Sequence, residues 1–126
     1  MNPDERQIIE NRLGPVAQSI APELVTLAAD GAIPIDRDAW VLLTKGSAAA
    51  MTIAVPGASN IGRRIVMTGG TDFAHVVTAA STSVHDGTTG GHGTLTSPAF
   101  QGGTLTLRAV TAAKWNVEAN NLWVIT

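Results

Sequence analysis

Few side chains in this sequence are equipped for chemistry, and two of its three histidines sit in one short stretch. Ser83–Thr96, SVHDGTTGGHGTLT, holds His85, Asp86 and His92. Two imidazoles and a carboxylate are the donors of a borderline metal ion, or the partners of general acid–base work. An ion of that kind asks for three or four converging ligands, and this stretch offers three at most. His85 and Asp86 are neighbours, so an extended backbone sends them to opposite faces. A Gly/Thr-rich segment also loses much entropy on ordering. The expectation is a long exposed loop with no metal ion and no catalytic role.

The other candidates are weaker. His75 lies in FAHVVTA among apolar neighbours, where a histidine that bonds across a sheet or an interface is expected over a catalytic base. Asp36 and Asp38 form a D-x-D pair without the further oxygens and the glycine of a calcium loop. TGGTD, Thr68–Asp72, offers backbone N–H groups to an anion, but no helix follows it, which favours a turn. No nucleophile elbow, zinc-protease helix or P-loop is present. The sequence therefore predicts no enzyme and no cofactor.

The elements that would position these residues read as strands. From Leu24 onward the apolar period is two. LVTLAADGAIPI suggests two strands about the hairpin-type dipeptide Asp30-Gly31. Ala39–Thr44, AWVLLT, reads as a fully buried strand. Further strands are expected in Ala49–Pro56, Arg63–Thr68, Phe73–Ala79, Thr94–Thr96, Gly103–Val110, Ala113–Glu118 and Asn121–Thr126. About nine short strands at this spacing predict an all-β fold, an antiparallel β-sandwich or barrel.

The first residues differ. In NPDERQIIENRLGP, Asn2 can cap a helix, Pro3 suits its first position and Glu5 completes a capping box, while Gly14 and Pro15 stop it. Ile8, Ile9, Leu13, Val16 and Ile20 form an apolar stripe. So short a helix is marginal alone in water and must dock on its own domain or on a partner. The division expected is an N-terminal helical arm, residues 1–23, and a β-domain, residues 24–126.

Composition narrows the rest. The 126 residues suit one domain with one modest core. Charged residues make up only 14%, and the net charge is −2, which leaves no electrostatic footprint for nucleic acid. The absence of cysteine removes thiolate zinc sites, disulfides and thiol nucleophiles. MNPDERQIIENR lacks the apolar core of a signal peptide, and AAAMTIAVP is far too short to cross a membrane, so a soluble protein without a membrane partner is expected.

Trp40, Trp115 and Trp123 all lie on expected strands. In the last stretch both faces carry apolar residues. One face therefore fills the core and the other meets a second copy, or all three tryptophans fill the core.

Taken in order, AADGAIPI, TIAVPGASNIGRRIVMTGGTDFAHVVT, the Gly-rich loop and GGTLTLRAVTAAKWNVEANNLWVIT resemble the head decoration (capsid cement) proteins of tailed bacteriophages, over about residues 28–126. The resemblance implies a virion protein without catalysis, made in the host cytoplasm and carried on the outer capsid surface. It implies a homotrimer that binds several copies of the major capsid protein. An arm that reaches the shell would be Met1–Glu23 here, with Ile8, Ile9, Leu13, Val16 and Ile20 as its contact residues. A helix there departs from arms that bind by adding a strand. His75 matches the histidine of the A-H-x-V strand and Trp115 the tryptophan of K-W-N-V; together with Trp123 they are the candidate oligomer interface. The loop 81–93 falls where such modules vary, as an exposed tip. Two rivals stand beside this reading. One is a trimeric module of a tail fibre or tailspike; the other is a small β-sandwich enzyme or metal-dependent sugar-binding domain using His85, Asp86 and His92.

Overall fold

The structure, a computed structural model, describes residues 23–88 and 90–126. The expected arm helix and its residues Ile8, Ile9, Leu13, Val16 and Ile20 lie outside the described residues.

The described chain is all-β. Its strands are β1 (Glu23–Leu27), β2 (Gly31–Ala32), β3 (Ala39–Leu43), β4 (Ala50–Ile53), β5 (Arg64–Gly69), β6 (Val76–Ala79), β7 (Val84–His85), β8 (Thr94–Thr96), β9 (Thr104–Thr111), β10 (Lys114–Asn121) and β11 (Val124–Ile125). They form two sheets, one in the order β1-β3-β5-β9-β10-β7 and one in the order β11-β8-β6-β4-β2.

The sheets are mixed, where antiparallel ones were expected. β1, β3 and β5 pair in parallel, as do β2, β4 and β6, and β7 lies parallel to β10. Antiparallel pairing is confined to β5–β9, β9–β10, β6–β8 and β8–β11. The cause is the path of the chain. From β1 to β6 each strand crosses to the opposite sheet and the next strand in the same sheet runs in the same direction as the last; β8 breaks this by running antiparallel to β6. Asp30-Gly31 therefore turns the chain between sheets and does not close a hairpin. Asp30 instead ties that corner to the start of β4: its Oδ1 accepts Lys45 Nζ and the Ala50 N–H, each at 2.8 Å.

One core joins the sheets. Ala39, Val41, Leu43, Ile65, Met67, Leu105, Leu107 and Trp115 enter it from the first sheet; Met51, Ile53, Val77, Ala79 and Leu95 enter from the second. Each strand contributes every other residue, as the pleat requires. β3 shows this plainly: Ala39, Val41 and Leu43 are buried, while Trp40 is exposed and Leu42 half-buried. The expectation that AWVLLT is buried on both faces is thus corrected. The run is apolar throughout, so its sequence cannot reveal which alternate residues face out.

Candidate functional site

The histidine loop is more ordered than a floppy tip. Val84 and His92 exchange backbone hydrogen bonds at 3.2 and 2.7 Å, which closes the loop at its base. Asp86 Oδ1 then accepts the Thr88 N–H at 3.0 Å and the Thr88 hydroxyl at 2.6 Å. His92 Nε2 lies 3.1 Å from the same oxygen. These bonds, those from Thr88 first, hold the Asp86 carboxyl below the usual carboxylate range. A carboxylate so engaged is a weak base, which suits a turn and not proton abstraction. An open depression of about 430 Å³ lies beside it, lined by His85, Asp86, Gly87, Thr88, Asn116 and Val117. Of the three candidate side chains, Asp86 and His92 meet in a hydrogen bond. Among the described residues no group of three or more His, Asp or Glu converges as metal ligands would.

The loop's flank is tightly built. Ser81 and Thr82 adopt left-handed backbone conformations, φ 56° and 46°, unusual for residues with a side chain. A Cβ on Gly91 would fall 2.0 Å from the Thr82 carbonyl oxygen, so glycine alone permits that approach.

His75 precedes β6 rather than sitting in it, and it is fully buried. Its Nδ1 accepts the Ala49 N–H at 3.0 Å, and its Nε2 lies 2.8 Å from Thr71 Oγ1. Its own N–H donates to Ser97 Oγ at 2.8 Å. Trp115 is also fully buried and donates Nε1–H to the Ala54 carbonyl at 2.9 Å. Trp123 is 4% exposed and donates to the Gly103 carbonyl at 2.9 Å. The three residues expected at an oligomer interface are thus engaged inside one chain, their polar atoms satisfied by its own backbone and hydroxyls. In that position they offer no surface to a second copy.

The exposed tryptophan is Trp40, at 46%. In register it stands beside Leu24 of β1 on one side and Val66 of β5 on the other; Val66 stands beside Thr106 of β9. Leu24 is 61% exposed and Val66 half-buried. Leu24, Trp40 and Val66 therefore form an apolar row across three neighbouring strands, on the outer face of the six-stranded sheet. Trp40 Nε1 donates to Thr68 Oγ1 at 2.9 Å, which pins the indole over β5. Two residues along the same face, Arg64 and Arg108 share the Glu118 carboxylate, with N···O distances of 3.7 and 3.1 Å. Phe100, Ile61 and Leu122 are also exposed, but they sit singly on turns, as surface apolar residues commonly do. A row of a tryptophan and two aliphatic residues on an outer sheet face has the composition of a contact surface.

Sequence reasoning missed this row because its members are far apart in the chain and two of them lie in continuously apolar strands. The parallel register alone brings them together. The available signal was the Leu24–Val25–Thr26–Leu27 stretch, whose first residue breaks the alternation toward the outside.

No protein-family model matches this chain, and no curated protein matches it. The functional reading accordingly rests on the residues and their arrangement.

Proposed function

We propose that this chain is a structural virion module without catalytic activity, a head decoration protein that binds the outer face of a tailed-phage capsid as an oligomer and stabilises the shell. The observation that carries the reading is the Leu24–Trp40–Val66 row. An exposed tryptophan with two aliphatic neighbours on a sheet face suits another protein, while His75, His92 and most of the described carboxylates are engaged in bonds within the fold. Shell attachment is assigned to this face together with residues 1–23, and the partners are the major capsid protein and further copies of the chain. The multivalency of an oligomer lets several modest contacts add up to stable attachment.

Imaging intact particles of the phage that encodes the chain, with an antibody against it, tests this reading. Label over the outer surface of the head is expected. Label on the tail would move the chain to a fibre or tailspike, and absence from particles would end the virion reading. A solution mass near three times the 13.0 kDa of the chain is expected for the free protein.

A further inference from the structure

The depression beside the histidine loop is walled by polar groups that the fold leaves unspent. Its walls are His85, Asp86, Gly87, Thr88, Asn116 and Val117, around about 430 Å³. That volume falls among those of small-molecule sites, roughly 300–1,000 Å³. His85 ends β7 and stands in parallel register with Asn116 of β10, so the two side chains leave one sheet face on strands about 4.8 Å apart. Gly87 has φ 90°, and the chain turns there, so Asp86 borders the same depression although it directly follows His85.

Of the polar side chains in this region, Asp86, Thr88 and His92 are bonded to one another. The His85 imidazole and the Asn116 carboxamide have no such partner among the described residues. Asp86 itself is half spent. Its three bonds fall on Oδ1, and among the described residues Oδ2 accepts none.

We propose that this depression binds a neutral sugar unit, with Asn116, His85 and Asp86 Oδ2 as its hydrogen-bonding groups. A sugar hydroxyl both donates and accepts. The amide and the neutral imidazole do the same, and the carboxylate oxygen accepts. Amide and carboxylate together can hold two neighbouring hydroxyls. Half-buried Val117 offers aliphatic surface to the C–H face of a ring. Other small ligands fit less well. An anion would meet the Asp86 charge with no Lys or Arg in the wall. A metal ion would find one unspent carboxylate oxygen and one imidazole, short of a ligand set.

The walls are in place without a ligand. Backbone bonds between Val84 and His92 close the loop's base, and Asp86 pins Thr88. A Cβ on Gly91 would come 3.5 Å from His85 Cε1, so the ring is seated against the Gly91 backbone. Walls set in advance lower the ordering cost of binding. Three hydrogen-bonding groups in an open depression give an expected Kd of roughly mM. The site involves neither a capsid nor the Trp40 face, so it stands or falls separately from the virion reading.

The test is a titration of isotope-labelled full-length protein, followed by NMR, with the methyl glycosides of glucose, galactose, mannose and N-acetylglucosamine. Saturable shifts of the Asn116 side-chain amide and the Gly87 backbone amide are expected with at least one glycoside at mM concentration. Asn116→Ala and His85→Ala should each weaken that binding about tenfold while the rest of the spectrum keeps its dispersion. Should His85→Ala disturb the loop, Asn116→Ala carries the test alone, because Asn116 is exposed on its strand. The absence of a saturable shift with all four glycosides overturns the proposal, as does binding left unaltered by Asn116→Ala. Saturable shifts with inorganic phosphate instead of the glycosides overturn it in favour of an anion site.

Discussion

The Nδ1 of His75 accepts a hydrogen bond from the backbone N–H of Ala49 at 3.0 Å, and this single contact fixes the charge of a buried ring. An N–H can only donate, so Nδ1 carries no proton. The proton sits on Nε2 and points to Thr71 Oγ1, whose hydroxyl in turn donates to the Lys45 carbonyl at 2.9 Å. Burial, and then the nearby Lys45 charge, hold the imidazole below its usual 6.5.

A pH dependence follows. As pH falls past 6.5, the unfolded chain protonates His75 while the folded chain resists. Stability that is complete above 6.5 is therefore lost from there down toward the lowered folded value. Asp30, Asp86 and Glu118 have carboxyl groups held below their usual 3.8 to 4.5, so their losses fall in a more acidic window. Urea midpoints measured between about pH 8 and pH 5 should decline, and His75→Gln should flatten that decline. An equal slope in both proteins would remove His75 as its source.

Trp115 and Trp40 predict opposite sensitivities. Trp115→Phe deletes the donor to the Ala54 carbonyl and leaves space in a closed core, so a loss of about 2–4 kcal/mol is expected. Trp40→Phe also deletes a hydrogen bond, to Thr68, but at a half-exposed site open to water, and a loss below about 1 kcal/mol is expected. Chemical denaturation of the two variants separates the core tryptophan from the surface one.

The same contrast shows what a sequence of this kind discloses. Val41, Leu43, Ile65, Met67, Leu105 and Leu107 were legible as strand residues, because apolar and β-branched runs between turn residues have few other uses. Their partners were not legible. Asp30-Gly31 has the chemistry of a hairpin turn, and only the crossing to the second sheet makes β1 a parallel neighbour of β3. The histidine loop was legible as a place where polar groups gather. Its order was not, because it rests on the Val84–His92 backbone pair and on one carboxylate oxygen shared by Thr88 and His92.

That oxygen yields the next prediction. Asp86→Ala removes the acceptor of the Thr88 N–H, the Thr88 hydroxyl and His92 Nε2. The loop is a surface feature closed below by backbone bonds, so global stability should fall by only about 1 kcal/mol. Hydrogen exchange at the Thr88 amide should accelerate strongly, while amides of β3 and β5 stay protected. Zinc titrated into the parent protein should give no stoichiometric heat, since Asp86 and His92 alone cannot complete a tetrahedral site. One equivalent of tightly bound zinc, lost in His92→Ala, would restore the metal reading.

Glycine substitutions test the packing between the sheets' ends. A Cβ on Gly103 would stand 2.4 Å from Pro98 Cγ and 3.2 Å from the Asn121 carbonyl oxygen, and neither a proline ring nor a backbone can swing aside. The Gly103 carbonyl also receives the Trp123 indole N–H, so any shift of this backbone disturbs a second buried contact. Gly103→Ala should therefore cost about 1–3 kcal/mol, as overpacking does. Gly46 has an ordinary φ and nothing within 4 Å of an added Cβ. Gly46→Ala narrows only the unfolded ensemble and should stabilise by about 0.4–1 kcal/mol. Thermal unfolding of the pair reads both signs in one experiment. Equal and small effects would mean that the Pro98–Gly103 approach is looser than its 2.4 Å implies, and that Trp123 is held by something other than this backbone.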